Sequence, residues 1–311
     1  MASTTGSTSF NLDVNDLIEE AFERCGKELR SGYDFKTARR SLNLLTIEWA
    51  NRGLNLWTVE QGVITMATGQ AMYPIPNDTI DLLDMVIRNN NGTSNQVDIN
   101  ISRIAEPTYM SIPNKLAQGR PIQVFINRQS GQSNPTSSVL TANISSTDTT
   151  ITLNTTVGLP SAGFVSINSE TISYPNIDGN QLINCARGQN GTTAAAHLTG
   201  ASLTLQNLPC INVWPTPNAP GDQYTFVYYR MRRIQDAGTG VFVQDIPFRF
   251  IPCMVAGLAF QLAAKLPGVD MNRLPMLKAD YEEQFTLAAQ EDRETAPIRF
   301  VPRNTFYAGG S

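Results

Sequence analysis

The chain has 311 residues, of which 41% are hydrophobic and 16% charged, while Asn, Gln, Ser and Thr make up about 30%. That length suits about two domains, and so much uncharged polar surface fits β-rich faces, turns and wet subunit contacts better than charge-studded monomer helices. With 23 Lys+Arg against 27 Asp+Glu the net charge is −4, so no global field draws the chain to phosphate backbones and sequence-specific DNA binding is disfavoured.

After a polar leader, Asp13 is placed to cap a helix over 13–28. Its apolar positions Val14, Leu17, Ile18, Ala21, Phe22 and Cys25 form one stripe, with Asp16, Glu19, Glu20, Glu23 and Arg24 on the other face. A second helix, 34–52, is expected from a cap at Asp34. Leu42, Leu45 and Trp49 lie on one face and Leu44 and Ile47 on another, which implies contacts on both sides, as in a bundle or at a subunit interface. From Leu56 to Arg128 the pattern shifts to period two with turn punctuation and reads as short strands, with one helical turn near Ile104–Tyr109. Strand character resumes at Ile211–Trp214 and Tyr224–Met231.

Between these stretches the composition changes. From Gln129 to Thr204 there are four formal charges, Asp148, Glu170, Asp178 and Arg187, and no lysine. This reads as an all-β guest module, 133–204, inserted at a surface hairpin. Beyond it, 248–266 is apolar nearly all round and must be buried, with Pro252 tolerable only in the first turn. The 271–294 segment is amphipathic. The 296–311 tail is denied regular structure by Pro297, Pro302 and Gly309-Gly310, yet it carries Ile298, Arg299, Phe300, Val301, Arg303, Phe306 and Tyr307. A tail so rich in large apolar groups is expected to dock on a partner.

These segments predict an α+β fold: a helical bundle plus a small antiparallel β-sheet, with an inserted all-β domain of Ig-like sandwich or small-barrel type. The core is expected to be discontinuous, 1–132 and 205–295, with the insert at 133–204 and the tail at 296–311.

Candidate chemistry is sparse. Cys25, Cys185, Cys210 and Cys253 are far apart beside apolar residues, the spacing of buried thiols rather than of a disulfide framework or zinc site. His197 with Glu170 or Asp178 has the elements of an acid–base pair, but a lone histidine without a nucleophile motif reads better as ordering a loop. Peptidoglycan cleavage needs two carboxylates, one in a pocket that raises its pKa. Glu48, beside Trp49, is the one acidic residue among apolar neighbours in its helix, and a surface or interface pair with Arg52 at i+4 is the favoured reading. Arg230, Arg232 and Arg233 mix with Tyr228 and Tyr229, as in single-stranded nucleic-acid grooves. Three arginines at a strand end more often engage carboxylates, so they are read as intersubunit salt bridges. No G-x-x-x-x-G-K-[ST] or G-x-G-x-x-G motif is present. No catalytic residue, cofactor or metal is expected. A membrane span and a signal peptide are not expected either, and folding in a cytoplasm is.

The run Ser31-Gly-Tyr-Asp-Phe-Lys-Thr-Ala-Arg-Arg-Ser-Leu-Asn-Leu-Leu-Thr-Ile-Glu-Trp-Ala-Asn-Arg-Gly-Leu-Asn-Leu-Trp57, with the acidic helix before it, resembles head-to-tail adaptor proteins of short-tailed double-stranded DNA phages. These are also called head-completion, tail accessory or tail tubular A proteins. The likeness covers roughly 10–128 and 206–295. The insert departs from short members of that family, and its Glu170–Tyr174 and Asn184–His197 segments look like a small β module of phage structural proteins.

The resemblance implies a structural virion protein and no enzyme, a dodecameric ring beneath the portal at the head–tail junction. It would be assembled in the host cytoplasm, have no stable membrane association and let double-stranded DNA pass transiently through its bore. Its implied partners are other copies of itself, the portal protein, the tail nozzle protein and tail fibres. The tail residues would then bind the portal, and Arg230, Arg232 and Arg233 would engage neighbours or the portal. The rival readings are a tail-associated peptidoglycan hydrolase and a tail-fibre or receptor-binding protein with the insert as glycan reader. The second is weakened because the insert offers few aromatic rings (Phe164, Tyr174) for stacking on a sugar.

Overall fold

The computed structural model describes residues 5–129, 131–219 and 223–293. The chain divides into two units, one made of the residues up to Trp57 with those from Ile234 onward, the other of Thr58–Arg233.

The first unit is helical. Helix α1 (Val14–Arg24) starts where the Asp13 carboxylate accepts the Asp16 N–H, and the chain turns out of it through Gly26 at φ +73°. Helix α2 (Gly32–Asn51) begins two residues earlier than expected, with its cap three residues earlier. Ser31 is its cap, accepting the Asp34 N–H at 3.2 Å while its own hydroxyl donates to the Asp34 carboxylate, so Asp34 sits in the first turn.

After the helical turn α3 (Glu106–Met110), which belongs to the second unit, the remaining helices are α4 (Ile251–Ala263) and α5 (Arg273–Glu291). Pro252 lies in the first turn of α4, the one place where its missing N–H costs nothing. Because α4 is apolar on all sides, α1, α2 and α5 each pack on it, and Met254, Ala256, Leu258, Ala259 and Leu262 are fully buried. The approach is tightest at Gly257, where a Cβ would stand 2.8 Å from the Tyr281 ring and 2.9 Å from Leu45.

Among the described residues, the second unit holds every strand. One sheet has the order β1 (Val59–Thr65), β18 (Thr225–Arg232), β3 (Thr79–Asn89), β4 (Val97–Asn100), all antiparallel. A second runs β2 (Met72–Pro74), β16 (Cys210–Trp214), β7 (Gln123–Asn127), β5 (Ser102–Ile104), and β17 (Thr216–Pro217) pairs with β6 (Gln118–Gly119). Tyr73, Leu82, Ile87, Val124, Ile211, Val213, Phe226 and Tyr228 share one core between these strands.

The inserted segment forms a five-stranded sheet, β14 (Ala186–Gln189), β11 (Glu170–Tyr174), β10 (Gly163–Ile167), β15 (Ser202–Gln206), β8 (Ser133–Val139). A three-stranded sheet accompanies it, β12 (Asn176–Asp178), β13 (Gln181–Ile183), β9 (Ile151–Thr152). Val165, Ile167, Ile172, Tyr174, Leu182 and Leu203 fill its core. Its entry and exit strands lie side by side, Ser133 opposite Gln206.

This overturns the expected α+β fold built on a helical bundle with a small sheet beside it. Strand exceeds helix, 32% against 26%, and is spread over five small sheets. The physical reason is signal length. The stripes of α1, α2 and α5 run over three or more turns and α4 is apolar throughout, whereas most of the strands are two to five residues long and show almost no periodicity between their polar turns.

Candidate interaction surfaces

The arginines of β18 meet carboxylates within the chain. Register places Glu60 of β1 directly opposite Arg230. The Arg230 guanidinium donates through Nε to Glu60 Oε1 at 2.8 Å, and through Nη1 to Asp78 Oδ1 at 2.6 Å and Thr79 Oγ1 at 2.9 Å. Arg232 Nε lies 3.3 Å from Glu60 Oε2. Arg233 follows at the strand end, its backbone N–H donating to the Asp78 carbonyl at 2.8 Å.

Burial by itself would raise the Asp78 pKa, but the hydrogen bonds and charge of Arg230 outweigh it and hold the carboxyl below its ordinary range. With its side chain 8% exposed, Arg230 spends its guanidinium on carboxylates of its own subunit. Nothing in the local sequence reveals Glu60 as its partner, since 170 residues separate them.

The second candidate is the only histidine. His197 Nε2 lies 2.7 Å from Glu170 Oε2, and both side chains are buried. Arg187 clamps the same carboxylate with Nε to Oε1 and Nη2 to Oε2, both at 2.8 Å, and the N–H groups of Gly188 and Ala195 complete the shell at 3.0 and 3.1 Å. The Asn168 amide 3.2 Å from Nδ1 is satisfied when that nitrogen accepts and Nε2 carries the proton, the tautomer this network selects. Burial pushes the Glu170 pKa up, but the five donors win and hold it at about 2.

A carboxylate this saturated has no lone pair left for a substrate proton. The cluster ties β14 and the loop that follows it, through His197, to β11, the loop-ordering role that the sequence favoured. Asp178, the other acidic candidate, sits at the end of β12 outside this shell.

Glu48, the third candidate, pairs with Arg52 at 3.3 Å, and accepts the Tyr281 hydroxyl at 2.9 Å. Arg52 also donates to Glu282 at 2.8 Å and lies 3.4 Å above the Phe285 ring. All these groups link α2 to α5.

Four thiols are buried, and burial pushes those of Cys185, Cys210 and Cys253 up to about 12 and that of Cys25 to about 11, which leaves them unreactive at neutral pH. Among the described residues no group of three or more His, Cys, Asp or Glu side chains is placed to hold a metal ion, and no helix is long and apolar enough to cross a membrane.

The surface of α2 is less ordinary. Leu42, Leu45 and Trp49 are fully buried, whereas Leu44 and Ile47, one turn apart, are 49% and 50% exposed, and Tyr33 near the start of the helix is 76% exposed. The seven tail residues read as a portal ligand, Ile298, Arg299, Phe300, Val301, Arg303, Phe306 and Tyr307, lie outside the described residues. Compared with known proteins, the chain matches no family model and no curated relative.

Proposed function

We propose that this chain is a structural virion protein, a head-to-tail adaptor whose copies form a ring joining the portal to the tail nozzle and fibres of a short-tailed double-stranded DNA phage. The observation that carries the reading is the second apolar face of α2. It lies within the run from Ser31 to Trp57 that resembles this family, and Leu44 and Ile47 stand half exposed while the opposite face is sealed in the core. A helix that is apolar on two faces and covered on one offers the other to a neighbour.

The chemistry of the clusters agrees with this. The Glu170, Glu48 and Arg230 networks are each engaged by donors or acceptors inside the chain, so they brace the subunit. The low charge density suits a bore that passes DNA without holding it, because a cationic lining would bind phosphates.

The test is assembly. Purified protein, alone and with portal, should form closed multimers, and Leu44→Asp with Ile47→Asp should leave a folded subunit that no longer assembles. Assembly undiminished in that double variant rejects the α2 interface. A protein monomeric with and without portal rejects the ring.

A further inference from the structure

Between α1 and the first turns of α4 runs a groove with a cavity of about 420 Å3. Its floor is apolar, made by Leu12, Ile251, Pro252 and Val255, and Phe10 stands 77% exposed at its lip. One wall is acidic. Asp16, Glu19 and Glu23 are exposed and recur at three- and four-residue spacing, so they form a single stripe of α1 spanning about 10 Å. Glu20 beside them is already engaged by Arg24 at 3.0 Å, and Arg24 also reaches Asp280 at 3.4 Å. No ion pair neutralises the other three among the described residues.

An apolar floor beneath a row of carboxylates selects a segment that alternates large apolar and cationic side chains. The chain contains one. Ala296-Pro-Ile-Arg-Phe-Val-Pro-Arg303 carries Arg299 and Arg303, and no acidic residue occurs from Ala296 to Ser311. In extended conformation Arg299 and Arg303 lie on one face about 13 Å apart, close to the length of the carboxylate stripe, and Ile298 and Phe300 take the opposite face, toward the floor.

We propose that this groove receives the 296–303 segment of a second copy of this chain. The proposal rests on the ring reading above and names one of its contacts: each subunit offers a groove to one neighbour and a tail to the other, the heterologous geometry that closes a cyclic ring. A single tail binds weakly, because ordering an extended segment offsets much of what its apolar groups contribute, and closure of the ring adds effective concentration.

A fluorescent peptide of residues 296–311, titrated by anisotropy into the full-length protein at a dilution where it is monomeric, tests this without portal. Saturable binding is expected, weakening about tenfold or more as salt rises from about 0.05 to about 0.5 M. The Glu19→Lys, Glu23→Lys double variant should lose at least about tenfold in affinity while keeping its circular dichroism and melting curve, since both positions are exposed. A peptide carrying Arg299→Glu and Arg303→Glu should fail on the parent and recover on the double variant.

Absence of saturable binding, or binding indifferent to both charge reversals, overturns the proposal. Binding that appears only after truncation behind Thr295 gives the groove to the subunit's own tail and overturns the second-copy assignment. A peptide retained by purified portal and not by the subunit does the same in favour of the portal. Ring formation by the groove variant, read separately by mass photometry, would leave the ring reading standing while this contact falls.

Discussion

Trp49 donates its indole N–H to the hydroxyl of Tyr281 at 3.2 Å, and Tyr281 donates in turn to Glu48 at 2.9 Å. Thus a side chain from the last turn of α2 is fixed to α5 across 232 residues of sequence, and the chain of donors ends on a carboxylate that Arg52 also holds. The polar edge of two buried aromatics is thereby satisfied inside the helical unit.

Removal of this node should be costly. Trp49→Ala deletes a fully buried indole and is expected to lower stability by about 3–5 kcal/mol. Tyr281→Phe keeps the ring but strands the indole N–H, for about 1–3 kcal/mol. Gly257→Leu would push a side chain into the same node and cost about 1–3 kcal/mol by overpacking. Urea melts of the three variants check these values, and an effect below about 1 kcal/mol for Trp49→Ala would place the indole outside a tight core.

The Glu170 cluster sets a pH window. Its folded pKa of about 2 lies below the ordinary 4.5, so the stability it contributes is fully present above about 4.5 and is lost as pH falls toward 2. Glu170→Gln should therefore destabilise the protein most at neutral pH, and the gap between variant and parent should narrow through that window. A gap that stays constant from pH 7 to pH 3 would contradict the ionised, donor-saturated state.

Arg230→Ala should weaken the isolated subunit. Glu60 and Asp78 are 44% and 46% exposed, so the loss stays below that of a fully buried pair, at roughly 1–3 kcal/mol. The defect should appear in the melting of dilute monomer. A variant with unchanged melting that fails only in assembly, and only at low salt, would return Arg230 to an interface.

Replacing 136–204 by a short Gly/Ser linker should leave the remaining strands folded. The Gly131 N–H donates to the Asn207 carbonyl at 2.8 Å and the Asn207 N–H to the Gln132 carbonyl at 2.9 Å, so the two ends of the module already lie together. Some stability is lost, because Phe164 packs with Met72, Leu208 and Cys210. Insoluble expression of the deletion would show that these contacts are required for folding.

Residues with strong local patterns were legible in the sequence. The stripes of α1, α2 and α5 and the buried character of α4 follow from spacing alone, as does the position of Pro252 in a first turn. The Ser31 cap was missed because Asp34, itself a good cap, stands three residues later in the same box. The balance of strand over helix was not legible, since β6, β9 and β17 are two residues long and leave no pattern. Partnerships across the fold were hidden for a different reason. Arg230 finds Glu60, and Trp49 finds Tyr281, through register and packing that no local window contains. The Glu48–Arg52 pair, four residues apart on one helix, was visible at once.

The central claim is that copies of this chain close into a ring through surfaces that a lone subunit leaves exposed. Mass photometry of the purified full-length protein, alone and with portal, measures it most directly. The account expects a discrete species at a fixed multiple of the 34.1 kDa subunit, alone or templated by portal, and its loss in Leu44→Asp with Ile47→Asp. A single 34.1 kDa species under both conditions would contradict it.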